Sequence, residues 1–286
     1  MSTLIFYGLS IGAVLFLLAV GLTMIFGMLD VINFAHGAFF MLGAYIGYSV
    51  MTVTGNYWIA MIITTFAVGI IGAGVEALTL RPLYKKSVLY QLLLTFGLIL
   101  IFEDIVKMIW GLEQLPLDTP KILSGSISLF GIQAPMYRLF VIAFVILIIL
   151  GLFFFVERTK VGIIIRASSV NRKMARCLGI NVGRVFTGTF GLGTALAGLS
   201  GMVAALMIPV NPGMGSMVIL DCFIVVVLGG LGSLKGALIG ALIIGEAQAF
   251  GTYYLPEYAA FPIYAITAVV LLVRPQGLFG EMRVHL

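Results

Sequence analysis

The feature that most limits what this chain can fold into is a series of apolar runs close to the roughly 20 residues that cross a bilayer as helix. They lie at 4–29, 31–53, 57–80, 88–111, 136–156, 186–208, 217–231, 236–252 and 258–273, with short polar breaks between them. The runs are continuous rather than alternating, so they are not barrel strands. Lipid tolerates only helices or closed barrels, because every backbone N–H and C=O must be paired internally. Charged residues make up 9% of the chain and the mean hydropathy is +1.19. A soluble domain keeps roughly a quarter of its residues charged, so there is too little polar surface to coat a globule in water. The reading is an all-α polytopic membrane protein of eight or nine transmembrane helices, one domain over 1–286.

The count turns on Asp30-Val31-Ile32-Asn33-Phe34-Ala35-His36-Gly37, which has no basic residue and little polarity. It reads either as a turn at one membrane face or as a helix broken at membrane depth. No basic side chain precedes the first apolar run and no small-residue cleavage site follows it, so no removable targeting peptide is expected.

The net charge of +5 invites a polyanion partner, but the placement of the basic residues argues against nucleic acid. Thirteen of the 16 fall on one side of a nine-span path: Arg81, Lys85 and Lys86; Arg158, Lys160, Arg166, Arg172, Lys173, Arg176 and Arg184; Lys235; Arg274 and Arg283. The positive-inside rule makes that side cytoplasmic, with the N-terminus outside and the C-terminus inside the cell. Cys177 and Cys222 are not expected to form a disulfide.

Glycine recurs at four-residue spacing inside the runs. Gly193, Ala197 and Gly201 form one small stripe, and Gly236 and Gly240 another. Such stripes let helix backbones approach closely where water cannot drive association; they serve packing, or surfaces that slide. Two interrupted stretches, Asn33 to Gly37 and Gly229 to Gly236, each end in a Gly-Ala pair, which suggests an inverted repeat.

The loop 157–185 holds the most informative soluble segment. Wound as one helix, 167–178 gathers Ala167, Val170, Met174, Cys177 and Leu178 on one face and Arg172, Lys173 and Arg176 on the other. Ser168 or Ser169 would cap its start and Gly179 would end it in a left-handed conformation. So short a helix does not fold alone. Two surfaces would support it: the lipid headgroups, or a groove on a cytoplasmic partner.

Ionisable groups within spans are functional candidates by default. Glu103 with Lys107 is expected as an interfacial pair, and Glu76 is expected to snorkel near Arg81. Glu246 lies nearer mid-span, close to Gln248 and Gly251, and would be costly against lipid. Asn33 and His36 sit in the interrupted stretch, where freed backbone groups and polar side chains could meet a polar solute. The substrate pathway is therefore placed at Asn33, His36, Glu246 and Gln248. No metal cluster or cofactor motif is present: Lys235 is flanked by Leu234 and Gly236, not by the Gly and Ser/Thr of a phosphate loop. The enzyme class is set aside, and any energy source lies elsewhere.

The chain resembles the membrane permease family of branched-chain amino acid importers, whose relatives carry urea, short amides and aromatic acids. The resemblance is carried by Gly21-Leu22-Thr23-Met24-Ile25-Phe26-Gly27, by Ile32-Asn33-Phe34-Ala35-His36-Gly37 with Met41-Leu42-Gly43-Ala44, and by Arg166-Ala167 with Leu178-Gly179-Ile180-Asn181. The run from Gly229 to Ala237 and Arg274-Pro275-Gln276-Gly277-Leu278 extend it along the chain. It implies the permease subunit of an ATP-driven ABC importer in the cell inner membrane. The implied partners are a second permease subunit, two cytoplasmic ATP-binding subunits, an extracytoplasmic solute-binding protein and membrane lipid. It also implies that the loop docks an ATPase through Arg166, Ala167, Val170, Arg172, Met174, Leu178 and Gly179. Two departures stand out: Ala38 follows His-Gly where many members have Glu, and Asn171 stands where many have an acidic residue. The alternative function is a secondary transporter or channel for a small polar solute such as urea or an amide.

Overall fold

A computed structural model describes residues 2–84, 86–129 and 132–280; Lys85 and Arg283, counted above among the basic residues, lie outside these. Each of the nine apolar runs folds as a helix. They are α1 (Ser2–Leu29), α2 (His36–Thr54), α3 (Tyr57–Val75), α4 (Val88–Trp110), α5 (Met136–Arg158), α8 (Val182–Ala204), α9 (Met214–Gly229), α10 (Leu234–Tyr254) and α11 (Phe261–Val273). The loop between α5 and α8 holds α6 (Lys160–Val170) and α7 (Arg172–Cys177). Among the described residues six helices are long and apolar enough to cross a membrane, while α9 and α11 are shorter apolar helices. One β-hairpin, β1 (Ser126–Leu129) with β2 (Ile132–Pro135), projects between α4 and α5; Ser126 pairs with Pro135 and Ile127 with Ala134.

The centre of the bundle is α1 and α8, buried along most of their length, whereas α5 shows most of its surface. The two run antiparallel: Gly21 of α1 lies against the Gly193 carbonyl of α8, and Ser200 Oγ donates to the Val14 carbonyl at 2.8 Å. A Cβ at Gly21 would meet that carbonyl, and a Cβ at Gly43 of α2 would meet the Gly198 backbone. The small-residue stripes of the sequence thus permit backbone contact across this core.

Packing partners recur with reciprocity. Helix α1 lies chiefly on α10 as α8 lies on α3, α2 packs on α3 as α9 packs on α10, and α1 meets α8 as α2 meets α9. That is the pattern an inverted repeat produces, with α1–α4 answered by α8–α11. The stretches expected to correspond do not. Gly229 to Gly236 is the tight turn between α9 and α10, with Gly229 backed on Gly236, whereas the segment before α2 is answered by 205–213, before α9. A shared Gly-Ala pair is too short a match to fix a repeat.

The segment 30–35 is the helix break at depth that the sequence left open. Helix α1 ends at Leu29, yet His36 Nε2, at the start of α2, lies 3.0 Å from the carbonyl of Leu18. Eleven residues of helix rise about 16 Å, and six extended residues span at most about 20 Å, so the segment climbs back beside α1 before α2 begins. Gly37 there touches Gly215 in the first turn of α9, so both of these helices begin inside the bundle.

The ends divide by chemistry. Tyr57 donates to the Tyr137 hydroxyl at 3.1 Å, and Tyr137 donates to the Val203 carbonyl at 2.7 Å, near the start of α1. Trp110 Nε1 donates to Ser49 Oγ at 2.8 Å on the same side. Aromatic girdles of this kind mark a membrane interface. The basic loops gather at the other end.

Candidate functional site: a two-helix elbow and a charged cavity

The loop 157–185 folds differently from the single helix expected over 167–178. Helix α6 follows α5 after a break at Thr159, the chain breaks again at Asn171, and α7 follows. The cap is Asn171 rather than Ser168 or Ser169: its Oδ1 accepts from Met174 N at 2.9 Å, and its extended backbone (φ −146°, ψ 95°) cannot continue α6. Thr159 caps α6 in the same way, accepting from Gly162 N at 3.1 Å. Gly179, as expected, closes the elbow with φ +81°.

The apolar residues of the expected face lie on two helices rather than one, and they remain exposed. Val170 is 87% exposed, Met174 58% and Leu178 72%, and Ala167 and Cys177 are exposed beside them. The polar members hold the elbow on the bundle. Arg166 pairs with Glu157. Arg172 donates to the Asp30 carboxylate at 2.9 Å and to the Met28 carbonyl at 3.2 Å, and its guanidinium lies 5.0 Å from the Phe186 ring.

Beside the elbow, Glu76 is fully buried and not snorkelling, contrary to the expectation. Its carboxylate accepts from Tyr84 Oη at 2.7 Å, from Arg81 Nη2 at 3.3 Å and from Thr187 Oγ1 at 2.6 Å, and Arg81 also reaches Thr187. Burial, reinforced by the bond to Glu76, holds the Tyr84 hydroxyl well above the usual phenol range, so it stays a donor. The chain winds as a π-helix over Glu76–Leu80, beginning at this carboxylate. The expected Glu103–Lys107 pair is also not made: Lys107 pairs with Asp104 at 3.0 Å, and Glu103 accepts from Ser216 of α9.

The four pathway candidates do not meet at one point. Asn33 and His36 are fully buried, and both polar side-chain atoms of Asn33 and Nδ1 of His36 lack a partner among the described residues. The contact with the Leu18 carbonyl places the His36 proton on Nε2. Glu246 faces Gly8 of α1 on one side and an apolar hollow lined by Leu242, Phe250, Pro262 and Ile266 on the other. Gln248, two residues on, points to the opposite side of α10. There it lines a separate cavity of about 290 Å³ between α1, α5, α9 and the loop after α8. Arg138 and Asp221 line the same cavity. Neither is among the pathway candidates drawn from the sequence. The available signal was on α9, where Met214, Met217, Val218 and Asp221 follow the spacing of one helix face.

The family described as "Branched-chain amino acid transport system / permease component" matches residues 4–273. A permease protein of a high-affinity branched-chain amino acid transport system, BraD of Pseudomonas aeruginosa, is 30% identical over 97% of this chain and 95% of its own. The corresponding LivH of Escherichia coli K12 is 32% identical over 98% and 96%. A probable branched-chain amino acid transport permease, LivH of Methanocaldococcus jannaschii, is 32% identical over 93% and 88%. No solved structure matches the chain.

Proposed function

Because the chain belongs to the family of branched-chain amino acid transport permeases, we propose that it is one permease subunit of an ATP-driven importer carrying branched-chain amino acids into the cell. It is a multi-pass membrane protein with the helices of a permease. In this reading the basic end faces the cytoplasm, the N-terminus lies outside, and the membrane is the inner one. A second permease subunit, identical or homologous, completes the pore. Two ATP-binding subunits dock on the elbow and hydrolyse the nucleotide, and an external binding protein delivers the solute.

The observation that carries the reading is the elbow. Val170, Met174 and Leu178 are exposed on a projection too short to fold unaided, which in this reading is cytoplasmic and presents them as an apolar ridge, while Arg172 ties that projection to the end of α1. A ridge resting on lipid would need no tie to the end of α1, where the helix break begins. A ridge that receives a stroke from a motor would. Alternating access then follows: the motor pushes α7, the tie moves the end of α1 and the segment 30–35, and the buried starts of α2 and α9 shift with it.

The test is reconstitution. Vesicles holding this chain with its ATP-binding partners and binding protein are expected to accumulate leucine only when ATP is supplied on the motor side. Accumulation against a gradient by this chain alone would overturn the reading in favour of a secondary transporter.

A further inference from the structure

Four charged or amide side chains, Arg138, Asn211, Asp221 and Gln248, face a single cavity whose remaining walls are largely apolar. At about 290 Å³ it sits at the lower edge of the roughly 300–1,000 Å³ typical of small-ligand pockets, so the ligand that fits is small. It lies at the aromatic end of the bundle, opposite the elbow, over the starts of α5 and α9.

The two charges are held apart. Arg138 donates to Ser10 Oγ at 2.5 Å, and its guanidinium lies 3.9 Å from the centre of the Tyr7 ring. Among the described residues no ion pair joins it to Asp221. Asp221 is half-buried on α9 and has no hydrogen-bond partner among the described residues. Two opposite charges in apolar surroundings ordinarily close on each other, because an uncompensated charge is costly. These two instead flank an opening. A ligand with a negative group for Arg138 and a positive group for Asp221 would satisfy both at once.

The walls state what lies between those groups. Met214, Met217 and Val218 sit on the same face of α9 as Asp221, and Leu15 and Phe40 oppose them. Methionine adapts its shape to branched apolar groups, and an apolar wall rejects polar side chains because their desolvation is not repaid.

We propose that this cavity is the outward-facing binding site for the α-amino acid: Arg138 takes the α-carboxylate, Asp221 takes the α-ammonium, and the methionine-rich face of α9 takes the branched side chain. This rests on the reading above that the chain carries amino acids, and adds where in this subunit the cargo is recognised.

The experiment uses the assembled transporter in lipid nanodiscs, without the binding protein, and three probes: leucine, leucinamide, which lacks the carboxylate, and 4-methylpentanoate, which lacks the ammonium. Charge-assisted hydrogen bonds are strong enough that Arg138→Gln is expected to weaken leucine binding by about tenfold or more. It should leave leucinamide unchanged. Asp221→Asn should weaken leucine equally and leave 4-methylpentanoate unchanged. Arg138→Lys and Asp221→Glu, which keep the charges, should retain most of the leucine affinity. Equal loss of all three probes, no loss of any, or conservative variants as damaged as the neutral ones would each overturn the assignment. ATP-driven leucine uptake by the unaltered transporter separates the two levels. If leucine is imported while the neutral variants bind like the original, only the cavity assignment falls; if leucine is not imported, the functional reading falls with it.

Discussion

Arg172 of α7 and Asp30 at the end of α1, 142 residues apart, form an ion pair at 2.9 Å that joins the elbow to the helix break in the bundle. The same guanidinium takes the Met28 carbonyl, one of those that a helix end leaves without an intrahelical donor. Asp30 adopts a left-handed φ of +56°, rare for a residue with a side chain, where the chain turns back toward His36. The tie therefore connects the place where force would arrive with the place where the fold is interrupted.

Arg172→Gln tests the tie. It removes the charge and keeps much of the side chain, so the elbow should still fold and still bind its motor. Elements along a coupling path modulate coupling by about 0.5–2 kcal/mol, so leucine uptake is expected to fall several-fold while ATPase assembly stays intact. Uptake per ATP hydrolysed, measured in vesicles, reads this directly. An unchanged ratio would reduce the pair to a surface contact.

The apolar ridge makes a separate prediction. Met174→Asp with Leu178→Asp places two carboxylates where apolar anchors would be buried, and interface anchors typically cost about 2 kcal/mol or more when lost. The ATP-binding subunits should no longer co-purify, while the thermal stability of the membrane domain is unaffected because neither side chain packs inside it. Co-purification with the double variant at the original yield would remove the docking role.

Much of this architecture was legible because the apolar runs are long, and length with apolarity dictates helices in lipid. What escaped the sequence depends on contacts between distant segments. Val31 and Ala35 are apolar enough to extend α2, and only the His36–Leu18 contact shows that the helix starts later and deeper. Ser168, Ser169 and Asn171 are all capable caps; Asn171 prevails with its side chain on Met174 N. Glu76 looked close enough to Arg81 to reach the interface, but Thr187 and Tyr84 hold it inside. Arg138 and Asp221 are 83 positions apart, and no local pattern announces that α5 and α9 bring them to one cavity.

The Glu76 cluster should resist partial dismantling. Removing a donor from a buried carboxylate leaves part of its charge uncompensated, whereas neutralising the acid relieves it. Thr187→Val is therefore expected to lower stability in detergent by about 1–3 kcal/mol, and Glu76→Gln to cost less than Glu76→Ala. Melting curves of the three variants give the order. Equal losses would show that only the packing volume matters.

Backbone contact between α2 and α8 at Gly43 sets a steric prediction. A side chain there must displace the Gly198 backbone, which has no flexible end to swing aside. Overpacking a tight core costs about 1–3 kcal/mol, so Gly43→Val should reduce the yield of folded protein markedly. Gly74, where an added Cβ meets nothing, is the internal control: Gly74→Ala should be silent in the same expression assay.

Asn33 separates pathway from packing. Its amide is fully buried and neither polar atom has a partner among the described residues, so it pays a desolvation cost that nothing in the fold returns. Asn33→Leu, with the same number of side-chain heavy atoms and free of that cost, should then leave the melting temperature unchanged or raise it. If the amide serves passing solute as the permease cycles, uptake should nonetheless drop, and Asn33→Leu with His36→Gln should drop it further, because His36 fixes the start of α2 against the Leu18 carbonyl beside it. A variant that is as stable as the original and as fast in uptake would assign Asn33 to packing alone, and the route of the solute would then have to avoid the segment 30–35.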